Sequence, residues 1–181
     1  MSAGKIRGKI LSVLWTAGKP ITLQVIAERV GLDSSSTMGY LLGLIKAKYV
    51  SVPQKHYYAI TDLGKQAIGL PPVDKNLALT ILSPRSLEKA FHFYYDINHY
   101  SGVHADSLKD FVDKIQNVDL KCIEFHIPRR DFEHWISSLG DLELSKKLEL
   151  LRISHLSGES LRNEVYETVK SRCEELTRLA L

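Results

Sequence analysis

The densest set of side chains able to do chemistry lies in Phe125-His126-Ile127-Pro128-Arg129-Arg130-Asp131-Phe132-Glu133-His134-Trp135-Ile136. His126, Arg129, Arg130 and Asp131 crowd the junction between a loop and a helix start, a possible ligand cluster. Guanidinium and imidazole groups so placed can hold a phosphate or a carboxylate. The same residues also have a structural use, the commoner one for such a set. Asp131 in the first turn of a helix is favoured by the helix dipole and can pair with a nearby arginine. Phe132, Trp135 and Ile136 then become core, and a buried Arg–Asp pair fixes how two helices meet without any reaction. The histidines His92, His99, His104, His126 and His134 form neither an H-x-x-x-H nor an H-E-x-x-H spacing, so no metal is expected. No nucleophile elbow, phosphate loop or dinucleotide fingerprint is present, so no catalytic residue, cofactor or enzyme activity is expected.

A second set suits polyanion binding. Ser34, Ser35, Ser36 and Thr37 open a helix whose N-terminal turn offers N–H groups and a positive dipole end to phosphates. Gly39 and Gly43 lie four apart on one face, where missing side chains let the backbone approach a surface. Lys46 and Lys48 follow, and Lys55 with His56 marks the tip of a hairpin. Such contacts give affinity and salt dependence without sequence choice. No Arg, Asn or Gln lies between Ser34 and Ala47, so bidentate base reading is absent from this helix. Sequence preference would rest on methyl contacts, water and DNA shape.

The elements that position these residues can be read from periodicity. Gly69-Leu70-Pro71-Pro72 is the clearest break, giving domains at 1–70 and 71–181. Residues 1–70 hold nine Lys/Arg and three Asp/Glu, a balance of +6; residues 71–181 hold fifteen and eighteen, a balance of −3. A basic domain beside a mildly acidic one directs a polyanion partner to the first alone. In the first domain, Ile6, Ile10, Leu11, Val13, Leu14 and Trp15 mark a helix. Thr22 can cap a second helix ending at Gly31, and Asp33 with Ser34 to Ser36 opens a third running to Ala47. Tyr49–Val52 and His56–Ile60 read as two strands turning at Pro53-Gln54-Lys55, and Thr61 caps a short last helix.

The order helix, helix, turn, helix, two-stranded wing, with Thr61-Asp62-Leu63-Gly64 leaving the wing, resembles winged helix-turn-helix regulators of the multiple-antibiotic-resistance and phenolic-acid-repressor types over residues 5–69. The resemblance implies double-stranded DNA as partner, helix 34–47 in the major groove, the wing at 51–58 against the backbone or minor groove, and action as a homodimer. A winged helix kept as a docking module for another protein is the alternative.

After the break the whole chain reads as helix, giving a mainly α protein with a C-terminal helical bundle. Ser83-Pro84 caps a helix carrying Leu87, Ala90, Phe91, Tyr94 and Tyr95, with Phe93 and Tyr100 off its stripe. Ser107 and Asp110 form a capping box, Pro128 opens a helix closed by Gly140, and Asp141 caps the next, with Leu142, Leu144, Leu148 and Leu151. The last helix, about 159–179, carries Leu161, Val165, Val169, Cys173, Leu176 and Leu179, long enough to pack partly against a second copy. The pattern Phe-His-x-x-Arg-x-Asp-Phe-x-x-Trp, then Gly-Asp and a Leu, resembles an uncharacterised helical domain of archaea and bacteria, across about 78–155. That domain has Gly where this chain has Arg130, and the resemblance implies no activity. Cys122 and Cys173 form no C-x-x-C pair, which fits a reducing compartment. No apolar run approaches the roughly 18 residues of a membrane span, and the N-terminal stretch reads as mature structure, so a cytoplasmic protein is expected.

Overall fold

The computed structural model describes residues 2–181. The chain divides into two compact units, Met1–Pro72 and Val73–Leu181.

In the first unit, α1 (Ala3–Ala17) buries Ile6, Ile10, Leu11, Leu14 and Trp15 and stops at the left-handed Gly18. A short β1 (Ile21–Thr22) leads into α2 (Leu23–Val30). Thr22 stands at the N-cap position but makes no capping bond; its backbone is used in the sheet instead. Asp33 caps α3 (Ser34–Lys46), accepting from the Ser36 N–H at 2.8 Å. At the other end Lys48 adopts φ 62°, so that Lys48 N–H reaches the Ile45 carbonyl and Tyr49 N–H the Leu44 carbonyl. This is the paired bonding that usually takes glycine at the left-handed position.

β2 (Val50–Gln54) and β3 (Tyr57–Ile60) form a hairpin closed by Lys55 and a left-handed His56. The sheet has three strands in the order β1-β3-β2, one more than the two-stranded wing expected. β2 is therefore an edge strand, and Pro53 falls in the irregular stretch of its pairing between Ser51 and Gln54, a place that suits proline. α4 (Asp62–Ala67) is locked to the sheet through Thr61. Its hydroxyl accepts from Gly64 N–H at 3.1 Å and donates to the Lys48 carbonyl at 2.7 Å. Gly64 must lack a side chain, because a Cβ there would collide with the Tyr49 carbonyl oxygen and the Ile60 side chain.

The second unit is not all helix. After α5 (Lys75–Leu82), capped by Asp74, the segment that reads as a helix from Ser83 is a short 3-10 turn at Leu87–Lys89 and then a hairpin. Its strands are β4 (Phe91–Asp96) and β5 (His99–Ala105), joined through a left-handed Asn98. Phe91 and Phe93 point into the core while His92 and Tyr94 stay partly exposed, a period of two that overrides the helical reading. Four helices follow: α6 (Leu108–Asn117), α7 (Leu120–His126), α8 (Asp131–Leu139) and α9 (Leu142–Arg152). Pro128 lies in the turn before α8 and does not open it.

The long α10 (Gly158–Ala180) packs on α5, α6, α7 and α9. Its Leu161, Val165, Val169 and Leu176 are buried within its own chain, and Leu179 is exposed. The stripe that suggested a second copy is thus mostly covered already. The core of this unit is built round Phe91, Phe93, Phe111, Phe132 and Trp135, whose rings meet largely edge to face. Among the described residues, no helix is long and apolar enough to cross a membrane.

Candidate functional site

The residues of the first unit that the sequence offers for polyanion binding sit on α3 and the hairpin tip. α3 buries Thr37, Leu41 and Leu44, which leaves Ser34, Ser35, Ser36, Gly39, Leu42 and Lys46 exposed. Ser35, Gly39, Leu42 and Lys46 follow one another at steps of four, three and four, so they share a face. Leu42, 59% exposed, stands at its centre. Lys55 and His56 are exposed together at the hairpin tip, and Lys48 is exposed just beyond α3.

Two of the four hydroxyls are already engaged. The Ser36 hydroxyl donates to Asp33 Oδ2 at 2.6 Å, and the buried Thr37 hydroxyl donates to the Asp33 carbonyl at 2.8 Å. The Ser36 side chain and its N–H hold the Asp33 carboxyl below its ordinary pKa. A carboxylate therefore occupies the end of α3 where phosphate capture was expected, and it opposes a second anion there. Among the described residues no hydrogen bond engages the hydroxyls of the exposed Ser34 and Ser35. The cations lie elsewhere: Lys46 in the last turn of α3, Lys48 after it and Lys55 on the hairpin. Gly39 is open to solvent, with nothing within 4 Å of where a Cβ would stand. Gly43 is half-buried, and Arg7 Nη2 of α1 lies 3.8 Å from its Cβ position. Lys9 is taken up structurally, donating to the Val30 carbonyl at the end of α2.

In the second unit the structure joins three of the four clustered residues and leaves one out. Asp131 Oδ2 is 2.7 Å from His126 Nδ1 and accepts from Arg129 Nε at 3.0 Å. On the other side of the ring, His126 Nε2 accepts from the Tyr94 backbone N–H at 2.8 Å. A backbone N–H can only donate, so Nε2 carries no proton and Nδ1 donates to Asp131. Burial lowers the His126 pKa below its ordinary 6.5, against the opposing pull of Asp131. Both ring nitrogens are occupied and the ring is packed among Phe91, Phe93 and Phe132. It is a neutral brace between α7, α8 and β4, with no lone pair left for proton transfer.

Arg129 lies over the Phe125 ring at 4.8 Å and, with His92, Tyr94 and Asp96, lines an open cleft of about 410 Å³. Arg130 does not line it. Its backbone is left-handed, φ 66°, at the N-cap of α8. That conformation explains why a glycine suits this position in the resembling pattern. Phe132, Trp135 and Ile136 are core, and Trp135 Nε1 donates to the Lys89 carbonyl at 3.0 Å.

The histidines of the hairpin do not gather. His92 faces His104 across the strands, and its Nε2 donates to the Leu87 carbonyl at 2.8 Å. Among the described residues, no three His, Cys, Asp or Glu side chains form a group able to hold a metal ion.

Sequence reasoning missed two buried arginines of α10. Arg172, 2% exposed, makes a two-pronged pair with Asp141 at 2.7 and 3.0 Å. Its Nη1 lies 3.0 Å from Glu143 Oε2 and 2.8 Å from Glu175 Oε2. Burial opposes its charge, and the three carboxylates outweigh it, raising the guanidinium pKa. Asp141 also caps α9, accepting from Leu144 N–H at 3.0 Å. Arg162 Nη1 donates to the carbonyls of Ile115, Gln116 and Val118 at 3.0, 3.2 and 2.6 Å, closing the C-terminal end of α6. The signal was present: both arginines fall on the i, i+3, i+4 stripe of α10, where a charge is buried unless the stripe is broken.

Residues 88–177 match a family of unknown function, DUF5752, which covers the second unit from the 3-10 turn into α10. No curated protein and no solved structure matches the chain.

Proposed function

We propose that the first unit is a winged-helix module that binds duplex DNA, with α3 in the major groove and the β2–β3 hairpin against the backbone. The observation that carries this reading is the exposed face of α3. It presents Ser35, Gly39, Leu42 and Lys46 from a unit of balance +6, beside a hairpin tipped by Lys55 and His56. A helix fits the major groove, small residues allow close approach, and Leu42 offers a methyl contact to thymine. With no arginine on the helix, most affinity would come from phosphates and fall with salt. The second unit serves as a non-catalytic partner domain, a reading supported by the fully bonded His126 ring. Action as a homodimeric regulator goes with the winged-helix reading.

One observation favours a second reading. Leu42 is a large apolar side chain at the centre of the same face, as suits docking on a protein. Fluorescence anisotropy of the full chain with a random duplex and with its own promoter DNA, at two salt concentrations, separates the two. Salt-sensitive binding that is lost in Ser35→Glu with Lys55→Glu supports the DNA module. Absence of binding at low salt leaves the docking module.

A further inference from the structure

We infer that Arg7 of α1 supplies the guanidinium that α3 lacks, contacting a DNA phosphate beside the C-terminal half of α3. The inference rests on the DNA-binding reading and names a residue that the pattern of α3 alone does not contain. Three observations carry it. Arg7 is exposed, and among the described residues no hydrogen bond or ion pair holds it. The first unit's acidic residues are Glu28, Asp33 and Asp62, and none neutralises it. Its Nη2 lies against the bare backbone of Gly43, 3.8 Å from the Cβ position, so the absence of a side chain there leaves room for the guanidinium along α3.

The electrostatics of α3 place the phosphate at this end. Asp33 carries a negative charge at the N-terminal end, which opposes a phosphate there. The C-terminal end carries the negative pole of the helix dipole, so an anion can settle beside it only where cations outweigh the dipole. Lys46, one turn beyond Gly43, provides one cation and Arg7 the second. A guanidinium suits this task because its planar fork meets two phosphate oxygens at once.

The test is duplex binding by the full chain, measured by anisotropy between about 50 and 200 mM salt, for wild type, Arg7→Ala, Arg7→Gln and Arg7→Lys. Loss of one phosphate contact in Arg7→Ala should lower the slope of log affinity against log salt by about 0.9 and weaken low-salt binding about tenfold. Arg7→Gln keeps the length of the side chain and should lose as much. Arg7→Lys should restore the slope and part of the affinity. Circular dichroism melting of each variant keeps folding out of the comparison. Unchanged slope and affinity in Arg7→Ala and Arg7→Gln would overturn the assignment while leaving DNA binding in place. Weakened discrimination between sequences at unchanged slope would make Arg7 a base reader and overturn the phosphate contact. Failure of the wild type to bind any duplex would remove this inference together with the reading beneath it.

Discussion

Replacing Arg172 with methionine should strip the counter-charge from two carboxylates that have no access to water. Asp141 is 1% exposed and Glu143 5%, and the guanidinium between them meets oxygen at 2.7 to 3.0 Å. Breaking a buried pair by removing one partner costs about 3–5 kcal/mol. That is a large share of the roughly 5–15 kcal/mol that holds a typical domain folded. Glu175 is more exposed and adds little, and Lys147 at 3.7 Å from Glu143 softens the loss on one side only. A second change, Asp141→Asn, should recover part of it, because asparagine still caps α9 while needing no cation. Urea unfolding followed by hydrogen exchange in α9 and α10 reads both effects on the second unit alone. A loss under about 1 kcal/mol, the size of an exposed ion pair, would refute the argument that this cluster is desolvated.

Three further outcomes follow from the geometry. The folded His126 ring binds a proton less readily than an unfolded histidine, so the stability it contributes is complete above the ordinary value of 6.5. That stability is lost as pH falls toward the lower folded value, because the unfolded chain then takes up the extra proton; stability of the second unit measured from pH 7 to 5 should decline, and the decline should flatten in His126→Asn. Arg130→Gly should raise the thermal midpoint, relieving a left-handed non-glycine residue at a gain of up to about 1 kcal/mol; a lower midpoint would mean the arginine side chain has a role of its own. Gly64→Ala should destabilise the first unit by about 1–3 kcal/mol, because the methyl meets the Tyr49 backbone and not a flexible side chain; chemical denaturation of that unit checks it.

Local chemistry was the most legible level of this structure. Asp33, Thr61, Ser107 and Asp141 cap the helices that their spacing announces, and Gly31 and Gly140 close theirs in left-handed conformations. The β4–β5 hairpin was hidden by its aromatic density. Phe91, Tyr94 and Tyr95 match a helical stripe, and only Phe93, off that stripe and fully buried, betrays the period of two. Asn98 in the turn was the other signal, since asparagine tolerates the left-handed region that the turn requires. In α9, Leu142 counts among the leucines read from the sequence, yet it is 45% exposed and Glu143 is buried. That inversion follows from Arg172, which lies far along the chain and draws the glutamate in. On α3 the sequence shows which residues are present but not the electrostatics of the helix end. Only the Asp33–Ser36 bonding reveals that the N-terminal end of α3 is already occupied by negative charge.

The most direct test of the DNA-binding account is amide hydrogen exchange of the full chain, with and without a saturating duplex. The account predicts slowed exchange in residues 35–46 and 54–57 and along the Arg7 face of α1, with residues 91–131 unchanged. Unchanged exchange throughout the first unit, or protection confined to the cleft lined by Tyr94 and Arg129, would contradict it.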